Sequence, residues 1–281
     1  FSVLIRPGGA ARPTVPPAEL AKKAGPDIAP GIKRVDPRLL ERVQAVADHF
    51  GKSGANAKFF VISGYLITTL VARELIQGRF SFVLFYTRRA KRLLPAAYLV
   101  LVATILSSPW LLSAPELRDL SSQVIGAITF STNVVLWQQA GYFDGQSDLK
   151  PLLHFWSLAV EEQYYLVMPA ALMLIRREAW IRWIGLALAV SLVLCLLGLA
   201  WKPVATFYLL PTRAWEMLIG SCAALATSDA FPRSRERVRR TAAILFWPCL
   251  ATVLVLPFAP LPGSHPGASA IAVCIAVAVV L

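Results

Sequence analysis

The sequence predicts an all-α fold, a multi-pass integral membrane helical bundle, and three observations support this. Of the 281 residues, 57% are hydrophobic and only 16% are charged, whereas soluble domains carry about 25% charged residues. The apolar residues form blocks of about the length that crosses a bilayer. The basic residues behind the net charge of +12 gather in short loops beside those blocks, the pattern of cytoplasmic loops. We therefore expect a lipid bilayer as partner and no nucleic acid.

Residues 1–58 differ from the rest of the chain. They carry ten Lys or Arg and no apolar run of membrane length. One short amphipathic helix is predicted over residues 37–50, where apolar side chains share a stripe. We expect an atypical, partly disordered N-terminal segment at 1–58 and a membrane domain at 59–281.

Eight apolar blocks follow and are the predicted spans. They are residues 59–72, 93–112, 120–137, 152–175, 183–199, 207–227, 242–258 and 268–281. A span needs about 20 apolar residues, so the first and last blocks are short. Such shortening is expected of a bundle that is truncated at both ends.

Three basic clusters, at residues 73–92, 176–182 and 233–240, mark one predicted side of the membrane. An even number of spans must separate clusters on the same side. Three blocks separate the first cluster from the second, so one of them is not a crossing. Polar residues interrupt block 120–137, which we therefore predict to be a re-entrant or outer-surface element. The same reasoning places the basic segment 1–58 outside, which suggests a missing preceding span or a foreign N-terminal segment.

The block at 152–175 carries ionisable residues where a bilayer disfavours them. A charge at membrane depth costs roughly 2.5 to 3.5 kcal/mol on insertion scales, and such residues usually face a polar cavity or a partner. His154 and Glu161 are seven residues apart, so a helix places them on one face. They are our catalytic candidates, and packing is the alternative role for the pair.

Two further features concern helix contacts. Arg213 and Glu216 are spaced i, i+3, which predicts an ion pair that either orders a helix end or contributes to a substrate pocket. Ser63 and Gly64 favour close approach of helices. The four cysteines lie in apolar stretches without metal-ligand spacing, so no metal site is expected.

Several blocks of the sequence, in order, are similar to one known family. The blocks are residues 59–68, 85–95, 142–144, 151–165, 211–220 and 261–263. They closely resemble acyltransferase family 3, the membrane enzymes that O-acylate bacterial cell-surface carbohydrates such as polysaccharide and lipopolysaccharide. The resemblance implies transfer of an acetyl or similar acyl group from cytoplasmic acyl-CoA to an extracytoplasmic sugar hydroxyl. It also implies a location in the bacterial inner (cytoplasmic) membrane.

A cationic patch fits the donor that the resemblance implies. The patch consists of Arg88, Arg89, Lys91 and Arg92, placed before a helix predicted to start near Leu93. Coenzyme A carries several phosphate charges, and arginine pairs with phosphate through two hydrogen bonds. The alternative role of the patch is a topology anchor beside anionic lipid.

The family resemblance also implies a first span with an arginine, ten residues and then a catalytic histidine. Arg38 and His49 have this spacing, but charged residues lie between them, so no lipid-spanning helix is expected there. The segment around them instead resembles the opening of some cell-wall zinc carboxypeptidases. Two alternative functions remain open: a membrane transporter or flippase, and an inactive fragment that lacks the catalytic first span.

Overall fold

A computed structural model describes residues 55–140, 150–228, 232–255 and 268–281. Several predictions fall outside these residues and have no structural outcome. They are the helix at 37–50, Arg38, His49, and the family blocks at 142–144 and 261–263.

Every regular element in the described ranges is a helix, which confirms the predicted all-α class. The helices are α1 (Ala55–Ile76), α2 (Phe82–Leu111), α3 (Ala114–Ile128), α4 (Thr132–Ala140), α5 (Phe155–Leu174), α6 (Trp180–Trp201), α7 (Pro203–Tyr208), α8 (Leu210–Ala226), α9 (Pro232–Val255) and α10 (Ala268–Val280), with a 3-10 turn at Arg177–Ala179 before α6. Within these described ranges, three stretches are long and apolar enough to cross a membrane: Ala57–Ile76, Phe82–Leu111 and Arg177–Trp201.

Helix α8 lies at the centre and packs most extensively against α1 and α6. Two glycines allow α1 and α8 to approach closely. A Cβ at Gly64 would overlap the carbonyl oxygen of Met217, and a Cβ at Gly220 would overlap that of Val61. The predicted packing role of Gly64 is therefore confirmed, and the small residues let two backbones touch.

Several predicted helix boundaries were wrong. Helix α1 has 22 residues and is not a short, cut span. Helix α2 begins at Phe82, where Ser81 is its N-cap, so the cationic patch lies inside the helix and not before it. Helix α9 begins at Pro232, so the third basic cluster is also helical. Long basic side chains can lie on a helix while their charges reach water or a partner.

As predicted, the interrupted block at 120–137 does not form a single crossing helix. It comprises parts of α3 and α4, which have 15 and 9 residues and are each too short to span. The break lies at Phe130, whose φ of 52° is rare for a residue with a side chain. Block 207–227 is broken as well, at Leu209 between α7 and α8, because Pro211 favours a new helix start there.

The ends of the helices show which loops share a side. The Arg177 guanidinium donates to the carbonyl oxygens of Leu75 and Ile76 at 3.0 and 3.3 Å, so the first and second basic clusters meet. The Lys58 ammonium donates to the Val253 carbonyl at 2.6 Å, which joins the opposite end of α1 to the last turn of α9. We call the side of Arg177 the basic end and the side of Lys58 the far end.

Candidate active site

Five consecutive polar residues of α5, at 161–165, organise the centre of the bundle. Successive residues of a helix point about 100° apart, so these side chains reach different neighbouring helices. The contacts are Glu161 with Ser63 of α1, Glu162 with Arg89 of α2, Gln163 with Asn133 of α4, and Tyr164 with Ser221 of α8. This part of block 152–175 thus connects α5 to four neighbouring helices.

Arg89 is held inside this junction. Its Nε lies 2.8 Å from both carboxylate oxygens of Glu162, and its Nη2 lies 2.6 Å from Oε1. Its guanidinium carbon is 3.5 Å from the centre of the Tyr165 ring. The side chains of Arg89 and Glu162 are only 23% and 12% exposed. Arg89 therefore differs from the other three cations of the patch, because most of its side chain is buried against a carboxylate inside the bundle.

The rest of the cationic patch is exposed in the first turns of α2. Arg88 pairs with Glu74 of α1 at 2.9 Å, with half of its side chain exposed. Lys91 and Arg92 are both exposed, and at spacings of three and four residues they share a helix face with Arg88. These three side chains form an open basic surface, and guanidinium groups suit phosphate ligands.

The two predicted catalytic residues of α5 have different surroundings. Glu161 lies between α1 and α5 and accepts hydrogen bonds from Ser63 at 3.3 Å and from the Tyr165 hydroxyl at 3.4 Å. His154 precedes the helix as its N-cap and is exposed at the far end. Seven residues of helix rise about 10 Å. His154 and Glu161 are therefore separated along the helix axis by about that distance.

Two hydrogen-bonded clusters beside α5 were missed by the sequence analysis. In the first, Ser221 of α8 bonds to the hydroxyls of Thr68 and Tyr164 at 2.7 and 2.6 Å. In the second, Gln163 donates to Asn133 at 2.9 Å and to the carbonyl of Phe130 at 2.8 Å. Polar residues inside apolar blocks were the available signal, but their partners are distant in sequence.

The predicted ion pair of Arg213 and Glu216 is present, near the start of α8. Nε of Arg213 and Oε1 of Glu216 are 3.3 Å apart, and both side chains are completely buried. None of the guanidinium nitrogens and neither carboxylate oxygen has a hydrogen-bond partner among the described residues. Buried charged groups normally have their hydrogen bonds satisfied, because leaving them unsatisfied is costly. The pair is therefore a candidate for binding a ligand.

Aromatic rings surround the Arg213 guanidinium. Its central carbon is 5.3 Å from the ring centres of Phe60 and Trp156 and 5.4 Å from that of Phe207. These rings come from α1, α5 and α7, so three helices enclose one end of α8. We call Arg213 together with these three rings the arginine cage.

The described residues contain no group of three or more His, Cys, Asp or Glu arranged to hold a metal ion. Two of the cysteines, Cys195 and Cys274, are buried.

The model of the acyltransferase family 3, an acyltransferase domain, matches residues 57–281. The chain belongs to this family. The match confirms the assignment that the sequence blocks predicted, and with it the enzyme class, a membrane O-acyltransferase. The matched region includes every described site residue discussed above.

Three relatives illustrate the range of the family. An uncharacterized protein of Haemophilus influenzae is 36% identical over 59% of this chain and 72% of its own length. The peptidoglycan O-acetyltransferase OatA of Listeria monocytogenes is 29% identical over 79% of this chain. The putative peptidoglycan O-acetyltransferase YrhL of Bacillus subtilis is 33% identical over 59% of this chain. The alignments cover only 39% and 28% of the latter two proteins. No solved structure matches the chain.

Proposed function

We propose that the chain transfers an acyl group, acetyl in the first instance, from acyl-CoA to a hydroxyl of a bacterial cell-envelope carbohydrate. In this proposal the protein lies in the cytoplasmic membrane with its basic end toward the cytoplasm. Family membership supports the acyl transfer. Two relatives are named for peptidoglycan O-acetylation, so peptidoglycan is the first acceptor to test.

The single observation that carries the proposal is the order of the buried and basic groups between the two ends. The exposed cations of α2 lie toward the basic end, Glu161 lies in the interior, and the arginine cage lies toward the far end. Along α5, five residues separate Trp156 of the cage from Glu161, a rise of about 7.5 Å. Acyl transfer across a membrane requires polar groups at each of these levels. Because an isolated charge at membrane depth is costly, ionisable residues found there usually mark a substrate path.

The donor would bind at the basic end. Arg88, Lys91 and Arg92 present exposed charges to the phosphates of coenzyme A, since charge-assisted hydrogen bonds to phosphate are strong. Arg89 faces Glu162, so it would contribute either by exchanging this partner for a phosphate or by fixing α2 against α5. Bilayer anchoring remains the alternative role for the patch.

The acceptor would bind at the far end. A sugar hydroxyl attacks the acyl carbonyl once a base removes its proton, and a histidine or a carboxylate suits that task. His154 is exposed where an acceptor would arrive, and Glu161 lies deeper, so these two are the described candidates for the base. Arg213 and Glu216 would form the substrate pocket.

Transfer of radiolabelled acetyl from acetyl-CoA into envelope carbohydrate, measured in membranes containing the protein, tests the proposal. We expect label in carbohydrate that is absent from membranes without the protein. Neutralising the patch with Arg88→Gln, Lys91→Gln and Arg92→Gln should raise KM for acetyl-CoA. Arg118→Gln, at an exposed arginine on α3, is the matched control and should leave KM unchanged. No label above background, or an equal effect of the control, would reject the proposal.

The same assay distinguishes His154 from His49 as candidates for the base. Loss of transfer with His154→Ala and not with His49→Ala would assign the base to His154. The reverse result would assign it to His49, in agreement with the mechanism that the family resemblance implied.

A further inference from the structure

The guanidinium of Arg213 is a buried set of hydrogen-bond donors that no described residue uses. Its Nε side faces Glu216, and the edge formed by Nη1 and Nη2 has no hydrogen-bond partner in the described parts of the chain. By comparison, the guanidinium of Arg89 pairs with the Glu162 carboxylate and lies 3.5 Å from the centre of the Tyr165 ring. The ring centres around Arg213 are at 5.3 to 5.4 Å. Apart from the Glu216 carboxylate at 3.3 Å, Arg213 therefore lacks the close contacts that hold Arg89.

Besides the Glu216 carboxylate, the neighbours of these donors include three aromatic rings. The Trp156 ring lies 4.7 Å from Phe207 and 6.1 Å from Phe60, measured between centres. An oxygen that carries developing negative charge is stabilised most strongly by preorganised donors in a site that excludes water. Packed rings also set a limit on how large an attached group can be, because interiors are close-packed.

We propose that Arg213 donates to the carbonyl oxygen of the acyl group during transfer, and that Phe60, Trp156 and Phe207 restrict that group to acetyl. The inference rests on the proposed function and adds a catalytic role and a chain-length filter to it. The hydroxyl oxygen of the acceptor forms a bond to the carbonyl carbon, and the bond from that carbon to sulfur breaks. The proton of the hydroxyl passes through a base to the departing sulfur. The negative charge rests on the carbonyl oxygen in between, where Arg213 holds it.

Chain-length selectivity gives a test that a purely structural role would not affect. Transfer is measured from acetyl-, propionyl- and butyryl-CoA with the wild-type protein and with Phe207→Ala. Phe207 is only partly buried, so the change should be tolerated. One methylene in a fitted pocket changes kcat/KM about 10- to 200-fold, and we expect Phe207→Ala to lower the preference for acetyl over butyryl by at least about tenfold. The control is Phe155→Ala. Phe155 is a partly buried ring of α5 that lies outside the cage, so this change should leave the preference for acetyl over butyryl unchanged.

The donor role is measured separately with Arg213. Removing one donor to a developing oxyanion costs about 10²- to 10³-fold in kcat, so Arg213→Gln should lower kcat by that factor while KM for acetyl-CoA changes little. Arg213→Lys should recover part of the rate, because an ammonium still donates. Size-exclusion profiles in detergent check that both variants fold, and the Phe207 result does not depend on them.

The outcomes separate this inference from the function on which it rests. Wild-type transfer from acetyl-CoA, together with unchanged selectivity in Phe207→Ala, would overturn the chain-length filter while the proposed function stands. Folded Arg213→Gln with normal kcat would overturn the donor role in the same way. A wild-type protein that transfers from none of the three donors would reject the proposed function and this inference with it.

Discussion

The ion pair of Arg89 and Glu162 should be among the strongest contacts that attach α2 to the bundle. Of the 30 residues in α2, only Phe85, Leu101 and Ser108 are buried, so apolar packing within the protein contributes little. The pair has three N–O distances of 2.6 to 2.8 Å. Arg89→Ala leaves the Glu162 carboxylate unpaired inside the bundle, which costs about 3 kcal/mol in free energy of unfolding. Glu162→Ala should cost a similar amount.

A double-mutant cycle in detergent micelles measures this contact. If the two side chains act as a unit, the double variant should lose much less than the sum, with a coupling free energy of about 2 kcal/mol. Arg88 and Glu74 provide the matched control, since Arg88 is 52% exposed and an exposed pair is worth about 0.2 to 1 kcal/mol. A coupling for Arg89 and Glu162 no larger than that of the control would refute the reasoning.

Three further changes have definite expected results in the same unfolding measurement. Gly64→Ala should prevent normal packing of α1 on α8, because the new methyl group would overlap the Met217 carbonyl. The control Gly185→Ala places its methyl group where nothing lies within 4 Å, so it should be neutral or slightly stabilising. Equal effects of the two variants on stability would contradict the close approach of α1 and α8. Ser221→Ala should cost about 1 to 3 kcal/mol because it leaves two buried hydroxyls without their partner, and a cost below about 0.5 kcal/mol would argue against the cluster. Arg177→Ala should cost about 0.3 to 1 kcal/mol through the exposed carbonyl ends of α1, and a gain in stability would contradict that contact.

The sequence predicted the features that depend on composition and local spacing. Hydrophobic blocks located most of the helices, polar interruptions identified 120–137 as something other than a crossing, and the i, i+3 spacing identified the pair of Arg213 and Glu216. The ordered blocks also identified the family. These features are local, so no knowledge of tertiary contacts was needed.

The errors arose where a distant partner decides the structure. The charges at 88–92 suggested a loop, but α2 begins at Phe82. The carboxylate that accepts Arg89 inside the bundle belongs to Glu162, 73 residues away. The rings around Arg213 come from three other helices, so no local pattern could reveal the cage.

The central claim is that the buried polar residues between the two ends take part in acyl transfer from a donor at the basic end. Ser63, the hydrogen-bond partner of Glu161, offers the most direct test. Ser63→Cys is introduced with Cys222 and Cys249 replaced by Ala, and a thiol reagent that cannot cross membranes is applied to each face. We predict labelling from the face of the basic end, with slower labelling when acetyl-CoA is present. A cysteine at this position that stays unreactive from both faces, with or without acetyl-CoA, would contradict the account.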